Sequence, residues 1–133
     1  MPINLIAIAL AVVASYVFGA IWYTLLSKPW IAALDKSKDQ LKAAINPPWL
    51  PFVVTFLAQV IMAVMLAGLM AHMGPLTVKS GLITALLVWL GFVLPSMAAN
   101  HSFQGAKRAL TVIDGGHWLG VLLIQGTVIG AMG

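Results

Sequence analysis

Residues 51–71 read PFVVTFLAQVIMAVMLAGLMA, a run with no charged side chain and only Thr55 and Gln59 to interrupt its apolar character. A helix of about 20 residues crosses the ~30 Å hydrocarbon core of a bilayer, and this run is long enough. A helix packed in a soluble core would show a polar stripe at helical spacing, which is missing here. Outward from it, three more stretches have the same character: about Ile3 to Leu26, the segment between Lys79 and Lys107, and about Ala109 to Met132. The pattern predicts an all-α, polytopic membrane protein with four transmembrane helices. It forms one domain over residues 1–133, with spans at about 3–26, 51–72, 80–100 and 109–132 and an amphipathic loop at 27–50.

Composition points the same way. The chain is 62% hydrophobic and 8% charged, whereas a soluble domain carries about 25% charged residues. A disordered chain, a soluble enzyme and a base-reading nucleic-acid binder are excluded. The net charge of +4 reflects a shortage of acids, three aspartates and no glutamate, and does not suggest nucleic acid. Without cysteine there are no disulfides and no thiolate metal sites.

The fourth span contains Asp114 and His117. A central Asp costs roughly 2.5–3.5 kcal/mol on insertion, while its ten Leu, Ile and Val residues together offset roughly 3–6 kcal/mol. Insertion wins, helped by the position of Asp114 near one end. The N-terminal stretch lacks the basic region of a secretory signal, and Phe18 fits poorly three residues before a cut after Ala20, so it is expected to stay as a span.

Lys28, Lys36, Lys38, Lys42, Lys107 and Arg108 lie in the first and third loops, and only Lys79 lies in the second. The positive-inside rule therefore predicts both basic loops in the cytoplasm and both termini outside it. Ser37-Lys38-Asp39-Gln40 has the form of a capping box, predicting a short helix on the headgroups with its lysines towards anionic lipid. Asn46-Pro47-Pro48 should end it. Trp22, Tyr23, Trp30 and Trp49 flank this loop as an expected interfacial aromatic belt.

Small residues recur at helical spacing: Ala7, Ala11, Ser15 and Gly19; Ala63, Ala67 and Ala71; Gly116 and Gly120; Gly126 and Gly130. Such faces let helix backbones approach closely. Packing within the chain is the first expectation, and a homo-oligomer through the Gly126–Gly130 face is the alternative. Pro95 should bend the third span.

Polar groups inside hydrocarbon must be satisfied, which makes them the best functional clue. Asp114 is the only intramembrane carboxylate, and His117, three residues on, shares its helix face. Asn100, Ser96 and Gln59 are expected to converge with them in the inner half of the membrane. In one reading Asp114 pairs with His117, Asn100, Lys107 or Arg108 and ties the fourth helix to the third. In the other, Asp114 and His117 line a proton or cation path. His101, His117 and Asp114 are acceptable metal-ligand types without a known ligand spacing. No catalytic triad or carboxylate pair is evident, so no catalytic residue and no cofactor is expected.

Several stretches carry a resemblance to a known family. They are Gly19-Ala20-Ile21-Trp22-Tyr23, Lys28-Pro29-Trp30, Trp89-Leu90-Gly91-Phe92 with Asn100 and Phe103, and Ile113-Asp114-Gly115-Gly116-His117. In order and spacing they resemble the small bacterial membrane proteins grouped as domain of unknown function 1761. Where relatives have an aromatic residue after the Asp-Gly pair this chain has Gly116-His117, so a role for Asp114 transfers more directly than one for His117. The resemblance implies a four-helix protein of the bacterial inner membrane and supplies no activity.

The leading expectation is a non-enzymatic membrane component whose partner is the lipid bilayer, with no nucleic acid involved and any small-molecule or ion ligand left open. The alternative is a proton- or cation-coupled transporter or channel subunit that uses Asp114.

Overall fold

The computed structural model describes residues 3–133. The helices are α1 (Leu5–Leu25), α2 (Ser27–Leu34), α3 (Lys38–Ala44), α4 (Leu50–Met73), α5 (Val78–Val88), α6 (Leu94–Phe103) and α7 (Arg108–Met132), with a π-helical turn at Trp89–Val93 joining α5 to α6. Four continuous helical stretches are long and apolar enough to cross a membrane: α1, α4, α5 through α6, and α7. Among the described residues there is no strand.

Local chemistry sets the boundaries. Asn4 starts α1 by accepting the backbone N–H groups of Ile6 and Ala7, and its amide donates to the Met132 carbonyl at 3.1 Å, joining the N-terminal end of α1 to the C-terminal end of α7. The expected capping box at α3 forms: Ser37 Oγ accepts from Gln40 N, and Gln40 Oε1 accepts from Ser37 N at 2.8 Å. Thr77 and Ser80 form a second box at the start of α5. The loop reading missed α2, which folds back from α1 and covers the basic end of α7. There Ala33 packs with Leu110 and Ile113 in a small buried cluster.

Ahead of Pro95, where a bend was expected, the helix carries a π turn. Proline has no N–H to donate and its ring crowds the carbonyl four residues back, here that of Gly91. The ladder widens just ahead of it, with Leu94 N–H donating to the Trp89 carbonyl five residues earlier. Such a turn is a local bulge inside a helix that otherwise continues.

The exposure pattern inverts that of a soluble protein. Leu10, Val13, Val17 and Ile21 face outward along α1, as do Phe52, Phe56, Ile61 and Met65 along α4. Small and polar residues lie inside instead: Ala7, Ala11, Ser15, Gly19, Ala63 and Ala67 are buried. Lipid is as apolar as leucine, so helices associate here by close packing and hydrogen bonding.

The helix α7 is central, packing mainly against α5 and α1. Its Gly126 lies so close to Gly81 of α5 that a Cβ on either would strike the other's carbonyl group, and Gly130 lies equally close to the backbone of Thr77. The Gly126–Gly130 face is therefore filled within the chain. Gly126→Ala should lower stability in detergent by about 1–3 kcal/mol, because the obstacle is backbone and cannot swing aside. Gly68→Ala, with no atom within 4 Å of the added carbon, should raise stability by up to about 1 kcal/mol in the same thermal-melt comparison, because glycine is disfavoured in a helix interior.

Candidate functional site

The contact between α1 and α7 is built from reciprocal insertions. Phe18 and Trp22, one turn apart on α1, enter notches at Gly120 and Gly116, one turn apart on α7. A Cβ at Gly116 would lie 2.8 Å from the Trp22 ring. In the other direction the His117 imidazole lies over Gly19, where a Cβ would stand 2.7 Å from Nε2. The imidazole is nearly parallel to Phe18 (centroids 6.2 Å apart, 5° between planes) and lies 4.9 Å from the Tyr23 ring. It is buried, and its Nδ1 has no hydrogen-bond partner among the described residues.

Three side chains converge on the first turns of α7. The Tyr23 hydroxyl donates to Asp114 Oδ1 at 2.6 Å. The Trp22 indole N–H donates to the Ile113 carbonyl at 3.0 Å, and the Trp89 indole N–H donates to the Gly115 carbonyl at 2.8 Å. A carbonyl has two lone pairs, so a helical C=O can take such a second donor. The segment Ile113–Gly115 is thus held by side chains of α1 and of the π turn. Trp30 of α2 meets Tyr23 edge-on at 5.6 Å and completes the apolar cover.

This arrangement corrects several expectations. Asp114 is held by Tyr23, tying α7 to α1 and not to the third span. Lys107 turns away to the Ala32 carbonyl at 3.2 Å and to Asp35 at 3.6 Å. Asn100 and Ser96 do not converge with Asp114. Both are exposed on α6, and the Ser96 hydroxyl returns to its own helix at the carbonyls of Phe92 and Val93. His101 bonds through Nδ1 to the Thr111 hydroxyl at 2.7 Å, and no cluster of three metal-ligating side chains exists among the described residues, so His101, His117 and Asp114 are not gathered. Trp22 and Tyr23, expected in the interfacial belt, instead pack against α7, Trp22 in the notch at Gly116 and Tyr23 on Asp114 and His117; Trp49 is exposed at the start of α4.

Gln59 joins a different polar group at the middle of the helices. Ser15 Oγ lies 2.8 Å from Gln59 Oε1, and Gln125 Nε2 donates to Ser15 Oγ (3.2 Å) and to the Gln59 backbone carbonyl (3.1 Å). All three residues are buried, and Gln125 Oε1 is unpartnered among the described residues. Eleven positions separate Asp114 from Gln125, about 16 Å along α7 at ~1.5 Å per residue. Sequence reasoning missed Ser15 and Gln125. A second mid-span amide was the available signal, because each amide in hydrocarbon needs a partner of its kind.

Fold and site together define a small α-helical membrane protein with two internal polar nodes along one helix pair. The family described as "Protein of unknown function (DUF1761)" matches residues 6–130, and the chain belongs to it. No curated protein and no solved structure matches the chain.

The Tyr23–Asp114 pair has a direct test. Hydrogen bonds between membrane helices contribute about 0.6 kcal/mol on average and at most ~1.7 kcal/mol. Tyr23→Phe and Asp114→Asn should each lower the melting temperature in detergent. The double variant should cost clearly less than the two single losses combined, as expected for partners. Simple additivity would show that the two groups act independently.

Proposed function

We propose that this chain is a non-enzymatic structural component of the bacterial inner membrane, with Asp114 serving as a fastening point between α1 and α7. The observation that carries this reading is the 2.6 Å bond from Tyr23 to Asp114, flanked by two indole donors on neighbouring carbonyls. A group that conducts must exchange partners; one bonded by Tyr23 at such a distance, on a turn whose neighbouring carbonyls are held by two indoles, favours a fixed geometry. The absence of a second intramembrane carboxylate supports the non-enzymatic reading, since Asp35 and Asp39 both lie in the first loop.

A second reading keeps the site and makes the chain a proton- or cation-coupled transporter or channel subunit. The unpartnered Nδ1 of His117, one turn from Asp114, favours it, as does the Ser15–Gln59–Gln125 node deeper along the same seam. Purified protein in liposomes under an imposed pH gradient separates the two. The structural reading expects no flux above empty liposomes, with Asp114→Asn altering only stability. Flux in the native protein that Asp114→Asn abolishes would replace it with the second reading.

The basic first and third loops support a cytoplasmic placement, with both ends of the chain on the other side. The Gly126–Gly130 face is used internally, so a second copy would have to dock elsewhere. Single cysteines at 77 and 38 test the orientation: an impermeant reagent added from outside should label position 77 and spare position 38. The reverse pattern would overturn it.

A further inference from the structure

The helix α2 and the turn that follows it form an open groove of about 490 Å³ lined by Lys28, Ile31, Ala32, Asp35, Lys36, Ser37 and Lys38. Lys28, Ile31, Ala32 and Asp35 lie at i, i+3, i+4 and i+7, on one face of α2. Asp35 ends the helix in the left-handed conformation (φ 59°, ψ 35°), and Lys36, Ser37 and Lys38, which follow it, line the groove together with Lys28. Three lysines thus line one open groove. Its only carboxylate, Asp35, faces a fourth, Lys107, at 3.6 Å. Ile31 and Ala32 give the groove an apolar side, and α2 begins two residues after the membrane-length helix α1 ends, with Leu25 exposed at that junction.

We propose that this groove is a binding site for a phosphate-bearing anion, with the phosphodiester of an anionic lipid headgroup as its occupant. The three lysines meet the phosphate charge, and Ile31 and Ala32 meet the start of the acyl region. Lysines beside a transmembrane helix are attracted to anionic headgroups, and an ammonium serves a phosphate as a point charge with three donors. This site is separate from the Asp114 node and stands whichever of the two functional readings holds. Free phosphate shares the same chemistry without the apolar part.

The test is calorimetric titration of the full chain in neutral detergent with dihexanoylphosphatidylglycerol, dihexanoylphosphatidylcholine and inorganic phosphate. The glycerol lipid should bind saturably and the choline lipid should not. Replacing Lys28, Lys36 and Lys38 together by Gln should weaken binding about a hundredfold, whereas replacing them by Arg should keep it within a few-fold. Asp35→Asn, which keeps a residue tolerant of the left-handed conformation, should tighten binding a few-fold by removing the opposing charge. That gain of affinity cannot arise from misfolding. Competition by inorganic phosphate at matching concentration would assign the groove to free phosphate; lack of competition assigns it to the headgroup. Equal binding of both lipids, no saturable binding of either phosphate source, or indifference to the triple Gln substitution would overturn the proposal.

Discussion

Hydrocarbon offers a polar group no water, so each one that enters it must bring or find a partner. In this protein that constraint falls mainly on the seam between α1 and α7. Asp114 receives the Tyr23 hydroxyl there, and two indoles donate to carbonyls on either side of it. Farther along the seam, Ser15 and Gln125 meet Gln59 from α4. The lateral position of each helix follows from these contacts together with the glycines that let the backbones close up.

Magnitudes show how the terms divide. Hydrogen bonds between membrane helices average about 0.6 kcal/mol and reach ~1.7 kcal/mol, so no single bond holds the helices together. Glycine costs about 1 kcal/mol in a helix interior relative to alanine, and α7 carries several. That cost is offset only where the missing side chain is replaced by dense packing. It is so at Gly116 and Gly120 under the Trp22 and Phe18 rings, and at Gly126 and Gly130 against the backbone of the third span. Packing thus supplies most of the attraction, and the hydrogen bonds set the register in which it occurs.

The spans were legible because insertion depends on length and summed hydropathy, both local properties of the sequence. Lys38–Ala44 was legible through its capping box, which needs only four adjacent residues. The site was legible in part. Asp114 and His117 stood out as ionisable groups in a span, but their partners depend on which helices adjoin and at what rotation, and neither is local. Asn100 and Ser96 lie near the same end of the membrane as Asp114 yet point away from it, since depth says nothing about azimuth. Tyr23 was read as an interfacial anchor because an aromatic residue at a span's end fits that role; its partner Asp114 lies on a helix 91 residues away in sequence, which no local pattern reveals.

The contacts are unevenly spread, and this bears on what the molecule can do. The basic end of α7 is fastened by α1, by α2 and by Trp89 of the π turn. Beyond that turn, α6 has no buried residue; its contacts with α7 include the His101–Thr111 hydrogen bond and Leu94 beside Gly115. The node around Asp114 is thus fixed by side chains from α1, α2 and the π turn, whereas the half of the third span beyond Trp89 presents its residues outward, as expected for a surface that meets lipid.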